Sequence, residues 1–134
     1  MIKKTILIAD DDTGLLKALA CRLESEGYEV FQAQDGYQAL ALARKEHPDL
    51  LILDINMPAG SGVTVLARVK AIDEIAETPV IIITGQNIQS LPRSIREQES
   101  TTLLRKPFDT GTLIATVHEY MNGKVESLIP TYEI

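Results

Sequence analysis

Acidic side chains stand at the ends of two apolar runs in this sequence. Three aspartates occupy positions 10–12 directly after the run at 6–9, and Asp54 directly follows the run at 50–53. Neighbouring carboxylates repel one another, so a cluster of them lowers stability unless a cation or a reaction makes use of it. If both runs are strands of one sheet, these acids form a site at its edge, and they are the strongest functional signal in the chain.

Composition limits the classes of protein to which the chain can belong. It has 134 residues, of which 45% are hydrophobic and 4% aromatic, so we expect one domain with an aliphatic core. The formal net charge of -6 opposes nucleic-acid binding, which requires a basic face. No apolar stretch approaches the ~18 residues of a membrane span, and the N-terminus lacks the features of a signal peptide. We therefore expect a cytoplasmic protein that binds neither membranes nor nucleic acids. The single cysteine, Cys21, cannot form an internal disulfide and is interpreted as a buried thiol.

Short apolar runs alternate with helical patterns along the chain. Strands are predicted at 5–9, 29–33, 50–53, 80–84 and 101–105. The first, third and fourth are apolar throughout, which is typical of parallel strands covered on both faces. Apolar residues at helical spacing predict helices at 13–26, 36–46, 62–72 and 110–121. A further helix before the last strand is predicted to start near Leu91 or to be short, because Pro92 interrupts its pattern.

This alternation predicts an α/β fold. Five βα units form a doubly wound parallel sheet with helices on both faces, and ligands bind outside the carboxyl ends of its strands. We expect the domain to cover residues 1–122. Residues 123–134 have no periodicity and contain a proline, so we interpret them as a tail or the start of a linker.

The predicted strand ends carry groups suited to phosphoryl chemistry. Besides the acids, the fourth strand ends at Thr84, which precedes Gly85, and the fifth leads to Lys106. Carboxylates are hard oxygen ligands for Mg²⁺, and a carboxylate also attacks phosphoryl groups to form an acyl phosphate. The developing charge would be met by the lysine amine, the threonine hydroxyl and backbone N–H groups that glycine leaves accessible.

Four motifs together resemble the receiver domain of bacterial two-component response regulators, including the chemotaxis type. They read Ile-Ala-Asp-Asp-Asp at 8–12, Asp-Ile-Asn-Met-Pro-Ala-Gly-Ser-Gly at 54–62, Ile-Thr-Gly at 83–85 and Lys-Pro-Phe at 106–108. Each alone is weak, but all four in this order at the ends of the right strands are very specific. The resemblance covers about residues 4–122 and implies a flavodoxin-like three-layer sandwich with strand order 2-1-3-4-5 and five helices.

The resemblance implies a role for each acid. Asp54 matches the phosphoacceptor, which takes a phosphoryl group from a sensor histidine kinase or a phosphotransfer protein. Asp11 matches the carboxylate that binds Mg²⁺ directly, and Asp10 matches its partner, which acts largely through water. Asp54 and the backbone carbonyl of Asn56 match the other protein ligands of the ion. The chain is therefore expected to be a signalling switch rather than an enzyme, although the family catalyses its own phosphorylation and hydrolysis. Its signal would pass to an output protein or domain.

The groups around the acids also match the family, with one departure. Thr84 matches the switch hydroxyl, Gly85 lies beside it, and Lys106 matches the phosphate-binding lysine. The bond between Lys106 and Pro107 is expected to be cis. Many relatives carry an aromatic switch residue three positions before the lysine, where this chain has Leu103.

A second departure lies before the fifth strand. Glu99 and Ser100 stand where relatives usually carry Gly-Ala, and Pro92 lies in the preceding helical pattern. In the family the face formed by the fourth helix, fifth strand and fifth helix often carries partner contacts. A homodimer through that face is one expected partner mode.

Some residues have simpler interpretations. Asp12 directly precedes the first helix and is interpreted as its N-cap rather than as a metal ligand, and Asp109 is a candidate cap for the last helix. His47 and His118 are interpreted as solvated helix residues, because neither has a metal-type partner at i+4.

Two other functions stay open. One is a receiver-like module that is never phosphorylated and binds partners constitutively. The intact acidic site argues against this function, whereas the atypical Leu103 and fourth helix are compatible with it. The other is a phosphatase of the haloacid dehalogenase type. Such enzymes place Asp-x-Asp after the first strand and carry a cap, for which 134 residues leave no room.

Overall fold

The computed structural model describes residues 3–57 and 62–122, and in them five strands alternate with five α-helices. The strands are β1 (Thr5–Ala9), β2 (Glu29–Ala33), β3 (Leu50–Asp54), β4 (Val80–Thr84) and β5 (Thr101–Arg105). The helices are α1 (Thr13–Ser25), α2 (Gly36–Glu46), α3 (Gly62–Lys70), α4 (Arg93–Arg96) and α5 (Thr110–Met121), and one 3₁₀ turn covers Ile88–Ser90. The predicted tail at 123–134 and part of the motif at 54–62 lie outside the described residues.

The strands form one parallel sheet in the order β2-β1-β3-β4-β5, which confirms the predicted fold class. Every residue of β3 and β4 is buried, because helices cover both faces of these interior strands. The chain reverses its direction of winding between β1 and β3. Doubly wound sheets bind ligands beyond the carboxyl ends of the strands at such a point.

Each face of the sheet has its own aliphatic cluster, because successive strand residues point to opposite faces. On one face Leu51 and Leu53 pack in a cluster with α2, α3 and the buried side chain of Ile95. On the other face Leu50 and Ile52 pack in a cluster with α1 and α5. The helices therefore hold the strands in a fixed register and fix the positions of the residues that follow them.

The helix ends follow capping rules that the sequence carries. Asp12, Asp35 and Asp109 are the N-caps of α1, α2 and α5, and each carboxylate accepts a hydrogen bond from the backbone N–H three residues later. The predicted capping roles of Asp12 and Asp109 are confirmed. After α1 the chain turns at Gly27, whose φ of 100° is a left-handed conformation that glycine adopts without steric cost.

The structure corrects two details of the sequence analysis. Helix α3 ends at Lys70, two residues before the predicted end at position 72, and the Lys70 amine donates to the carbonyls of Ala76 and Thr78 in the turns that follow. Cys21 is exposed rather than buried. It lies about 100° around the helix from Ala20, the edge of the buried stripe, and so it points outward.

The helix before β5 is short, as Pro92 led us to expect: α4 has four residues. Among residues 3–57 and 62–122, no helix is long and apolar enough to cross a membrane.

Candidate functional site

Four strands deliver polar side chains to the carboxyl edge of the sheet. Asp10 follows β1, Asp54 ends β3, Thr84 ends β4 and Lys106 follows β5. Asp10, Asp54 and Thr84 are 1%, 4% and 0% exposed, whereas Asp11 is exposed. The structure therefore brings together the acids, the hydroxyl and the amine that the sequence predicted to share a site.

The same local hydrogen bond fixes three of these side chains. The backbone N–H of the residue two positions later donates to Asp10 Oδ1 at 2.9 Å, to Asp54 Oδ1 at 3.1 Å and to Thr84 Oγ1 at 2.9 Å. Short polar side chains favour this turn. Because one oxygen of each carboxylate is held by the backbone, the other oxygen is directed into the site.

Lys106 lies between the two buried carboxylates. Its Nζ is 3.2 Å from Asp10 Oδ2 and 3.4 Å from Asp54 Oδ2, and its backbone N–H donates to the Thr84 carbonyl at 2.7 Å. Although this charge is close, Asp10 Oδ2 is buried and accepts no hydrogen bond from the residues that the structure describes. The expected cis bond between Lys106 and Pro107 is present.

The acids are close enough to hold one cation. Asp10, Asp11 and Asp54 each place a carboxylate oxygen within 4.8 Å of the other two. Two of these residues are buried, one is exposed to solvent, and Asp10 Oδ2 lacks a hydrogen-bond donor. This all-oxygen set with one side open to water fits Mg²⁺, which binds a few carboxylates and keeps several waters.

Burial and charge shift the acid–base properties of the site. Burial raises the pKa of Asp54 and the charge of Asp10 adds to the rise, although the Asn56 N–H and Lys106 oppose it. Burial by itself would lower the pKa of Lys106, but its contacts with Asp10 and Asp54 outweigh burial and raise that pKa. The amine therefore stays charged, and the site contains one cation beside several acids.

The other predicted site residues differ in how they are placed. Gly85 is exposed, and a Cβ on it would meet nothing within 4 Å, so neither packing nor backbone conformation requires glycine there. Asn56 contacts the site through its N–H, and the role of its carbonyl as a metal ligand stays a prediction. Leu103 lies apart from the acids, half-buried against the cluster that contains Leu91 and Ile95.

Gly62 packs against the backbone that carries Asp54. A Cβ on Gly62 would lie 2.6 Å from both the Asp54 carbonyl oxygen and the Ile55 Cα. The Gly62 N–H donates to the Ile55 carbonyl at 2.9 Å. The first turn of α3 therefore lies directly against the end of β3, an approach that any larger residue would prevent.

An open groove of about 460 Å³ lies beside Lys106. It is lined by Leu15, Lys106, Pro107, Phe108 and Thr110. Leu15 and Phe108 are distant in sequence, and only the packing of α1 beside the start of α5 brings them together.

Comparisons with known proteins agree on one family. The sequence profile described as the response regulator receiver domain matches residues 6–118. The chain is 37% identical over 121 residues to the sporulation initiation phosphotransferase F of Bacillus subtilis, which covers 90% of this chain and 96% of that protein. It is 31% identical over 118 residues to the polar-differentiation response regulator DivK of Brucella ovis, covering 88% of this chain and 96% of the relative.

Solved structures show the same fold. The chemotaxis response regulator CheY4 of Vibrio cholerae superposes with a TM-score of 0.81 at 29% identity, covering 89% of this chain and 99% of that one. A CheY-like receiver domain protein of Methanospirillum hungatei gives a TM-score of 0.80 at 29% identity, covering 92% and 97%. The order of the strands and the placement of the site at their carboxyl ends are thus those of a known class of protein.

Proposed function

The chain belongs to the response regulator receiver domain family, and we propose on that premise that Asp54 is its phosphoacceptor. Receiver domains are signalling switches that interact with histidine kinases or phosphotransfer proteins and with output domains. The observation that carries the assignment is the position of Asp54. It ends a central strand, lies within reach of Asp10 and Asp11 in a cation-sized cluster, and has Lys106 at 3.4 Å.

The proposed step is the transfer of a phosphoryl group to a carboxylate. An oxygen of ionised Asp54 attacks the phosphorus atom and forms the new O–P bond. The bond from phosphorus to the donor histidine nitrogen breaks, and its electron pair stays on that nitrogen. Lys106 and the Asn56 N–H favour the ionised carboxylate that this attack requires, since both lower the pKa of Asp54 against the effect of burial.

Two side chains are placed to bind the transferred group. Lys106 supplies a compact positive charge for the phosphoryl oxygens. The Thr84 oxygen already accepts from the Gln86 N–H, so its own proton is available to donate outward. Open space beside Gly85 leaves room for a phosphoryl oxygen to approach the backbone.

Mg²⁺ belongs to the proposal as the cation that the acids would hold. Asp10, Asp11, Asp54 and the carbonyl of Asn56 are the proposed ligands, and the unpartnered oxygen of Asp10 supports this set. When bound, the ion would neutralise part of the acidic charge and polarise the phosphoryl oxygens. Without it, the acids of this chain would repel an incoming phosphoryl group.

Phosphorylation would act by changing the charge beside Lys106. A phosphoryl group adds about -1.5 to -2 charges at neutral pH. We propose that Thr84 and Lys106 reorient toward this charge and bias the chain between two conformations. At position 103 a leucine side chain would repack where relatives move a ring, or the backbone of β5 would carry the change.

Further parts of the proposal depend on relatives and on the sequence. The Bacillus relative is named a phosphotransferase, which supports onward transfer of the phosphoryl group to another protein. From the sequence we also propose a domain at 1–122, followed by a tail or linker. We further propose a cytoplasmic location and a homodimer through α4, β5 and α5. A receiver-like module that ignores phosphorylation is not favoured, because the acids, the hydroxyl and the lysine are assembled together.

Incubation with acetyl phosphate and Mg²⁺ tests the assignment of Asp54. We expect a gain in mass of one phosphoryl group, lost on treatment with hydroxylamine, which cleaves acyl phosphates. Asp54→Asn should abolish the gain, whereas Asp73→Asn, which changes an exposed aspartate in the turn after α3, should leave it unchanged. Equal uptake by Asp54→Asn and the wild type would show that the assignment is wrong.

A further inference from the structure

Glu26, Tyr28 and His118 form a hydrogen-bonded chain at the amino edge of the sheet, away from the acidic site. The Tyr28 hydroxyl lies 2.6 Å from His118 Nδ1, and His118 Nε2 lies 3.0 Å from Glu26 Oε1. The contacts join residues 90 and 92 positions apart in sequence. They tie the end of α5 to the turn between α1 and β2. The interpretation of His118 as a merely solvated residue is therefore wrong.

The two ring nitrogens of His118 have partners of different chemistry. An ionised carboxylate such as that of Glu26 only accepts hydrogen bonds, so Nε2 carries a hydrogen whether or not the ring is charged. A tyrosine hydroxyl both donates and accepts, so Tyr28 donates to a bare Nδ1 and accepts from a protonated one. Both contacts therefore persist when the ring takes up a proton, and the contact with the ionised Glu26 then becomes an ion pair.

The partners of the ring keep their own protonation states. Glu26 also contacts Arg22, whose Nε lies 3.3 Å from the other carboxylate oxygen. Hydrogen bonds from His118 and then from Arg22 lower the pKa of Glu26. Burial, and then the charge of Glu26, raises the pKa of Tyr28. Around neutral pH, Glu26 is thus ionised and Tyr28 is neutral.

The charged and titratable groups near the His118 ring come from α1 and from the turn before β2. Helix α1 supplies Arg22 and Glu26, and the turn before β2 supplies Tyr28. Among the described residues, no hydrogen bond or ion pair joins the ring to Lys4, Glu29 or its helix neighbour, the glutamate at position 119. Among the residues that the structure describes, the ring therefore contacts one carboxylate, and the cation Arg22 is paired with that carboxylate rather than with the ring.

We propose that Glu26, Tyr28 and His118 form a proton-responsive clamp, in which protonation of the imidazole tightens the attachment of the end of α5 to the α1–β2 turn. Imidazole is the side chain whose charge ordinarily changes between about pH 5 and 8. Because an imidazolium donates a stronger hydrogen bond to a carboxylate than a neutral ring does, the clamp is tighter near the acidic end of that range. The Asn122 N–H donates to the His118 carbonyl, so the last turn of α5 responds with it.

A double-mutant cycle tests the coupling. His118→Gln, Glu26→Gln and the double variant are unfolded with denaturant at about pH 6 and at about pH 8. The coupling between the two positions is expressed as the factor by which their contact raises the folded-to-unfolded ratio. We expect this factor to be about two- to fivefold larger at pH 6 than at pH 8, which is the range expected of an exposed charged pair. All these side chains are partly exposed, so the variants should fold. Equal coupling at both pH values would overturn the proposal.

Two controls isolate the clamp. Glu24→Gln removes an exposed carboxylate of α1 that makes no contact with the ring, and its cycle with His118→Gln should show no dependence on pH. His47→Gln removes the only other histidine, which is exposed, and should leave the dependence unchanged. A pH-dependent coupling at Glu24 as large as that at Glu26 would show a general charge effect and no clamp.

Hydrogen exchange reports whether the helix end is held. After correction for the intrinsic effect of pH, the exchange rate of the Asn122 amide in the wild type should be at least about twofold lower at pH 6 than at pH 8. Glu26→Gln should abolish that difference. Tyr28→Phe keeps the ring and removes the hydroxyl, so protection should fall at both pH values. Exchange at Asn122 that does not respond to pH would contradict the clamp.

Discussion

The acidic site and the connection between β4 and β5 are neighbours in the fold but are built in opposite ways. At the site, the side chains of Asp10, Asp54 and Thr84 at the carboxyl ends of β1, β3 and β4 are buried, and each accepts a hydrogen bond from the backbone N–H two residues later. The connection at 85–100 contains one 3₁₀ turn, a four-residue helix and Ser100 in a left-handed conformation with φ of 58°. Most of its side chains are polar and exposed.

This difference fits the proposal that chemistry and signal output use different regions of the chain. Phosphoryl transfer requires its groups to be fixed to a fraction of an ångström, because misplacement lowers the rate steeply. A surface that transmits a signal, by contrast, needs only to be complementary to its own partner, so its residues can differ between relatives. Both departures from the family pattern, Leu103 and the Glu99–Ser100 pair, lie outside the acidic site.

The largest contrast should appear in the rate of phosphoryl uptake. Lys106→Met removes the charge that faces the reacting oxygens and should slow uptake of acetyl phosphate about 100-fold, as loss of one electrostatic donor commonly does. Arg93→Met removes a cation of the connection, whose ion pair with Glu97 at 3.2 Å is exposed. It should change the rate less than about twofold. Comparable losses in the two variants would erase the proposed separation.

The next contrast concerns packing around the site. Gly62→Ala would place a Cβ 2.6 Å from backbone atoms of Asp54 and Ile55, so it should lower the free energy of unfolding by about 1–3 kcal/mol. Gly85→Ala at the start of the connection meets open space and should stay within about 0.5 kcal/mol of the wild type. Denaturant unfolding measures both. If Gly85→Ala is the more destabilising change, the connection is the more tightly packed region.

A smaller effect should follow from the burial of the Asp54 carboxylate at the site. Because burial raises the pKa of Asp54, the folded chain binds its proton more tightly than the unfolded chain. Stability from this group is therefore present at low pH and is lost as pH rises from the ordinary value of 3.8 through the raised value. Asp54→Asn removes that loss, so its advantage in thermal midpoint over the wild type should grow between pH 4 and pH 7 when a chelator is present.

The connection supplies the control for this prediction. Glu97→Gln removes an exposed carboxylate paired with Arg93, and its difference from the wild type should not grow over the same range. An advantage of Asp54→Asn that shrank with rising pH would mean that Lys106 more than compensates for burial.

The smallest contrast is the backbone of the connection. Ser100→Gly relieves a left-handed conformation and should raise the free energy of unfolding by about 0.5–1 kcal/mol. Ser94→Gly places the same residue inside α4 and should lower it by about 0.5–1 kcal/mol. Neither variant should alter phosphoryl uptake. A loss of uptake in Ser100→Gly would show that this conformation serves the chemistry.

Local pattern predicted most of the fold. The strands were predicted to within one residue, because continuous apolar runs bounded by turns have few alternatives in a sandwich covered on both faces. Capping at Asp12 and Asp109 was readable because a cap acts three residues along the chain. The predictions for the end of α3 and for the burial of Cys21 were wrong. Periodicity does not define where a helix stops or which side of its stripe is covered.

The sequence by itself determined which groups the site contains, since the strand ends and their residue types are local properties. Only the tertiary structure decided that Lys106 lies between Asp10 and Asp54, that Asp11 faces solvent, and that Leu103 packs away from the acids. It also created the contact of His118 with Tyr28 and Glu26, for which the sequence carries no signal. The physical reason is the sequence separation over which each kind of interaction acts. Periodicity and capping act over a few residues, whereas these contacts join elements separated by tens of residues that meet only through helix and sheet packing.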